Sequence, residues 1–188
     1  MTTVLEEPVA IRLTAEEYAE LPPSSRMELV DGVLMVGETP TLLHQDVVKL
    51  LERRLEAVYP DGLRIVREQE ARLGEELRRN PDLMAVRASA CDPYGCRFAP
   101  ADIALAIEVV SPSSRTRDRI HKPGEYAEAG IGHYWRVETR PSLAVHTYRL
   151  GETGSYLETG LFTPGDTIAA PGLPWATVEV AALEPWPG

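Results

Sequence analysis

Residues 103–114 read IALAIEVVSPSS, a run of Ile, Leu, Ala and Val with one carboxylate, Glu108, in its middle. The run is short, nearly continuous in its hydrophobicity and rich in β-branched residues, which predicts a buried strand at the centre of a sheet. A lone carboxylate in such a strand costs several kcal/mol unless it is paired, protonated or bound to a metal. Alternation puts Asp102, Ala104, Ala106, Glu108 and Val110 on one face and Ile103, Leu105, Ile107 and Val109 on the other. The Glu108 face is lined by small residues that leave room for a ligand or water. Taken by itself, Glu108 is equally consistent with a solvent-facing edge or an arginine pair.

Working outward, residues 80–89, NPDLMAVRAS, predict the preceding strand, opening just after Pro81 with Asp82 at its start. An Asp after Pro often does no more than cap a turn. If the two strands are neighbours, however, Asp82 and Glu108 converge. Magnesium is usually held by one or two carboxylates together with waters and phosphate oxygens.

The remaining pattern supplies the flanking elements. Thr14 and Glu17 have capping-box spacing and open a short helix that ends before Pro22. MELVDGVLMV predicts two strands joined at Asp31-Gly32. Apolar residues from Thr41 to Tyr59 recur at helical spacing and give the long amphipathic helix, which Pro60-Asp61-Gly62 terminates. LRIVREQE, residues 63–70, predicts a single half-exposed strand. After Ser111, Pro123 predicts a break at Lys122 and a helix over about Pro123–Ala129. Three further strand candidates follow between residues 132 and 160. The order helix, strand, strand, strand, helix, strand, with extra strands at both ends, predicts an α/β (α+β) fold with a mixed sheet flanked by helices.

At 188 residues the chain suits one domain, with 44% hydrophobic and 26% charged residues. No apolar run approaches the roughly 18 residues of a membrane span, and the N-terminus has no secretory pattern, so the expected location is the cytoplasm. Cys91 and Cys96 could form a small disulfide, half a metal site or nothing; a structural zinc needs four ligands and no matching pair stands at a suitable spacing, and the expectation is that they form nothing. The net charge of −10 argues against a general nucleic-acid coating protein. It leaves open an enzyme whose basic residues are gathered on one face, and Arg115, Arg117 and Arg119 are locally dense.

Pro81-Asp82, then Glu108 within AIEVVS 26 residues later, then Lys122, resembles the metal-binding signature of the PD-(D/E)XK nuclease superfamily. The wider pattern, MELVDG, TLLHQDVVKLLERRL, NPDLMAV and IEVVSPSSRTRDRIHKPGEYAEAGIGHYW, resembles the Uma-type family of bacterial endonucleases over about residues 10–150. The resemblance implies a single restriction endonuclease-like domain over 1–188. Its nuclease core would span about 41–139, an N-terminal helix and hairpin 12–37, and C-terminal strands 140–188. It also implies a metal-dependent endonuclease hydrolysing phosphodiester bonds of DNA, with magnesium or manganese on Asp82 and Glu108.

The departure is at the lysine, which the superfamily places two residues after the acid, where this chain has Val110. Lys122 on the following helix is the natural substitute, since its long stem could reach back. Asp118, four residues earlier, is placed to pair with Lys122 or Arg119. Glu28 in MELVDG matches a recurrent acid of the family and is a candidate third catalytic acid. His44 is a candidate substrate contact, and Arg115, Arg117 and Arg119 are candidates for the DNA backbone. By analogy with enzymes that cut both strands, a homodimer is expected. The alternative is a catalytically inactive module with the nuclease fold, binding a protein or nucleic acid. The missing lysine at Val110 and the acidic charge motivate it.

Overall fold

The structure, a computed structural model, describes residues 10–111 and 116–186. Helix α1 (Ala15–Glu20) has its capping box: Thr14 Oγ1 accepts from Glu17 N–H, and the Glu17 carboxylate accepts from Thr14 N–H. Strands β1 (Met27–Val30) and β2 (Val33–Val36) form the expected hairpin, with Leu29 opposite Leu34. Asp31 (φ 50°) and Gly32 (φ 72°) take the left-handed pair of conformations that so tight a turn requires. Thr41 caps the long helix α2 (Leu42–Glu56), which buries Val47, Val48, Leu51 and Leu55 along one face.

The strands that follow are β3 (Leu63–Arg67), β4 (Glu70–Arg72), β5 (Arg78–Arg79), β6 (Leu83–Arg87), β7 (Arg97–Phe98) and β8 (Ile103–Val110). After α3 (Lys122–Glu128) come β9 (His133–Glu138), β10 (Ala144–Leu150) and β11 (Tyr156–Phe162). Six of them make the main sheet in the order β11-β10-β9-β8-β6-β3. Strands β8 and β9 run parallel, their crossover made through α3, while the other pairs are antiparallel. The IALAIEVV run is thus a central strand. Its Leu105, Ile107 and Val109 face α2 and the C-terminal segment, and its Ala106 lies with Tyr126, Ile131 and Tyr134 under α3.

Three expectations change. Residues 63–70 are two strands, because the chain turns at Glu68 (φ 53°) and carries β4 into a second, small sheet of order β2-β1-β5-β4-β7. The helix break at Lys122 is absent, and α3 begins at Lys122 and ends at Glu128. A π-helical turn over Arg117–His121 runs straight into it, with the Lys122 N–H bonded to the Arg117 carbonyl. In an α-helix the ring of Pro123 would strike the carbonyl four residues back, and the wider turn makes room for it. Finally, the strands after residue 140 end at Phe162. Beyond them the described residues contain one isolated bridge, Thr167–Glu179, and Ile168, Leu173, Val178 and Leu183 close the core on the α2 side.

Cys91 and Cys96 are free thiols. Among the described residues no helix is long and apolar enough to cross a membrane.

Candidate active site

Leu83 pairs with Ile107 and Met84 with Ala106 across the antiparallel β6–β8 ladder, and one step further sets Asp82 opposite Glu108. The Asp82 carboxylate is fixed by two contacts to Oδ2: the Val109 backbone N–H at 2.7 Å and His44 Nε2 at 3.1 Å. Its other oxygen has no hydrogen bond among the described residues.

Glu108 is 2% exposed, and its partners come from α3. Lys122 Nζ donates to Oε2 at 2.9 Å, and the Tyr126 hydroxyl donates to Oε1 at 2.5 Å. Lys122 and Tyr126 are four apart, so one helical face delivers both. The ammonium also lies 3.5 Å from Asp118 Oδ1 and 3.7 Å from Glu28 Oε1. Asp118 and Lys122 are 2% and 8% exposed, so their contact is interior and not the ordinary surface pair of weak effect.

Glu28 is held from its far side. Asn80 N–H donates to its Oε1 at 3.1 Å, and Arg79 donates to its Oε2 at 2.9 Å. The same guanidinium, 3% exposed, forks Glu125 of α3 through two bonds of 2.7 Å. Arg79 therefore ties the β1 carboxylate to the helix that carries Lys122. Asn80 adds a 2.7 Å bond from its side chain to the Met27 carbonyl.

The charge balance follows from burial. Loss of water pushes the Glu108 carboxyl well above the ordinary carboxylate range; Lys122 opposes the rise, and Asp82 and Asp118 add to it. For Lys122, burial disfavours the ammonium, yet the carboxylates of Glu108, Glu28 and Asp118 outweigh it and raise its pKa. The lysine is thus a fixed positive charge. Burial would raise Glu28, but Lys122 and Arg79 bring it below its usual value. His44 is raised, because the Asp82 hydrogen bond overcomes the effect of burial.

These groups open onto a cleft of about 230 Å³ lined by Glu28, His44, Asp82, Glu108, Arg117 and Lys122 among others. Asp82, Glu108, Lys122, Glu28 and His44 thus meet, and Arg117 joins the lining. Arg119 does not: its guanidinium turns away to fork Glu138 at 2.8–2.9 Å. Arg115 lies outside the described residues. Arg79, Asn80 and the Tyr126 hydroxyl were missed in the sequence. Arg79 stands in the sequence as one of two adjacent arginines with nothing to single it out, and a Tyr at position 126 is most simply a packing residue of a helix. The available signal was their spacing, Arg79 three before Asp82 and Tyr126 four after Lys122.

The Uma2 family model, described as "Putative restriction endonuclease", matches residues 15–181. The chain belongs to the Uma2 family. A solved structure described as a "putative nuclease belonging to DUF820" from Anabaena variabilis superposes with a TM-score of 0.73 at 18% identity, covering 91% of this chain and 97% of that one. That likeness establishes the nuclease fold. No curated protein matches. Uma2 membership supports a nuclease-like function.

Restriction endonuclease-like families generally use divalent metals, and the carboxylates here are of the chemistry that suits a hard cation. Asp82 offers an open oxygen, and Glu108 lies across from it. Two carboxylates with water and phosphate oxygens make up the usual magnesium set. Among the described residues no group of three or more His, Cys, Asp and Glu side chains is arranged to hold a metal, as a closed, all-protein zinc site would demand.

Proposed function

We propose that the cleft hydrolyses phosphodiester bonds of DNA with magnesium or manganese held between Asp82 and Glu108. The observation that carries this reading is the 2.9 Å contact of Lys122 with Glu108, which brings a cation from α3 to the place left without one by Val110. When bound, the metal supplies Lewis-acid stabilisation of the phosphate and activates water.

The protein's own groups divide the remaining work. Lys122 stays protonated, so it serves as a positive charge beside the reacting phosphate and orients the attacking water; it is not the base. Glu28 and Asp118 hold the ammonium in place. His44 and the Val109 N–H fix one Asp82 oxygen and leave the other facing the cleft. Arg117 at the rim meets a phosphate oxygen.

The test is cleavage of single-stranded and duplex DNA, with RNA in parallel, under magnesium and manganese. Asp82→Ala should lower the rate by about 100-fold or more, the scale of losing a key electrostatic group. Equal cleavage by parent and variant would rule the reading out. A second reading, a binding module without catalysis, draws on the fact that both Glu108 oxygens are already engaged, by Lys122 and Tyr126. Nucleic-acid binding independent of metal and unchanged by Glu108→Gln would favour it.

A further inference from the structure

On the Glu108 face of the main sheet, the next strand carries guanidinium groups in excess of their carboxylate partners. In the parallel β8–β9 ladder Glu108 pairs with Arg136 and Val110 with Glu138, so Arg136 and Glu138 continue the face on which Glu108 lies. Glu138 is buried, yet it serves two arginines: Arg119 forks both of its oxygens, and Arg136 Nε lies 3.0 Å from Oε1. Arg136 also rests over the Tyr148 ring at 5.5 Å. Arg140, two residues after Glu138, is exposed, with no ion pair or hydrogen bond from its side chain among the described residues. Arg119, Arg136 and Arg140 line one depression with Glu138, and Arg119 and Arg140 line the one beside it.

Three positive charges against one negative leave a local excess of two on a protein whose formal net charge is −10. A stability role accounts for Arg119 and Arg136, which satisfy Glu138, but not for Arg140. The patch adjoins the cleft: Thr139 Oγ1 donates to the Val110 carbonyl at 3.3 Å, and Arg117 of the cleft lining is two residues from Arg119. Neighbouring strands are about 4.8 Å apart, and phosphates of one DNA strand recur every ~3.4 Å along the axis. Arg136 is one strand spacing from Glu108 and Arg140 is four residues further on, at most roughly 14 Å of extended chain, so the patch stands within a few nucleotides of the carboxylates.

We infer that Arg140, with Arg136 and Arg119 behind it, is a second phosphate subsite, which binds a backbone phosphodiester of DNA flanking the one cut in the cleft. The inference rests on the proposed nuclease reading. Arg140 is the arm that reaches the anion. Arg119 and Arg136 supply the surrounding positive field, held in place by Glu138 and Tyr148. This arrangement offers an acidic protein a way to meet a polyanion: three cations gather near the C-terminal end of β9, beside the cleft.

The experiment is fluorescence anisotropy of a labelled DNA duplex with the full chain in EDTA, over a series of salt concentrations, for the parent, Arg140→Gln, Arg140→Lys and Arg140→Glu. Arg140 is exposed, so these variants keep the fold. A lost phosphate contact lowers the slope of log K against log salt by about 0.9. Arg140→Gln should show that drop and severalfold weaker binding, Arg140→Glu a larger loss, and Arg140→Lys the parental slope. A parent that binds, with all three variants at its slope and affinity, would overturn the subsite and leave the nuclease reading standing. A parent that binds no DNA at any salt, either in EDTA or with calcium in its place, would overturn both.

Discussion

The Lys122 ammonium and the Glu108 carboxylate, 2.9 Å apart, come from different elements, α3 and the central strand β8, and meet in the interior. This pair explains a charged residue in a strand that is otherwise wholly apolar. Glu108 is tolerated there because α3 supplies a cation and a phenol at one carboxylate, and Lys122 is tolerated because three acids surround it. Breaking one side of a buried pair leaves an uncompensated charge and costs about 3–5 kcal/mol. Lys122→Met is therefore expected to lose that much stability in urea unfolding. The double variant with Glu108→Gln should lose distinctly less than the sum of the two single changes; simple additivity would show that the pair is not coupled.

A second prediction concerns Arg79. Its planar fork binds Glu125 twice and Glu28 once, a geometry that a lysine cannot reproduce. Arg79→Lys keeps the charge but gives up the fork, and should destabilise the protein by about 1.5–3 kcal/mol, the range for hydrogen bonds to charged groups. Denaturant midpoints of the two proteins at equal slope measure the loss.

A third concerns pH. His44 has a raised pKa in the folded state, owing to its hydrogen bond with Asp82 against the opposing effect of burial. The protonated form is favoured by folding, so the stabilisation is complete below the unfolded value of about 6.5 and is lost as pH rises through the folded value. The stability difference between the parent and His44→Gln should then be greatest in mildly acidic solution and shrink towards pH 8. A difference that grew with pH would reverse the assigned role of the Asp82 contact.

The sequence made the centre of this site readable because its elements are long and regular. An eight-residue apolar strand, a fifteen-residue amphipathic helix and an Asp after Pro each carry a periodic or local signal, and the Asp82–Glu108 convergence followed from strand adjacency. What escaped depends on short or irregular backbone. Strands β5 and β7 have two residues each, too few for alternation to show, so the small sheet that delivers Arg79 and Glu28 was hidden. The π-helical turn before Pro123 has no periodicity of its own, so nothing in the sequence pairs Arg119 with Glu138. His44 on a helix face gave no hint that its partner would be Asp82, 38 residues on.

The most direct measurement is a calorimetric titration of manganese, with magnesium alongside, into the parent and into Asp82→Asn and Glu108→Gln variants shown by circular dichroism to be folded. It needs no knowledge of the target sequence. The parent should show saturable binding that both variants lose by about 10-fold or more, which at ~1.4 kcal/mol per decade is well within reach of the method. Equal binding by all three proteins would contradict a shared metal site at Asp82 and Glu108.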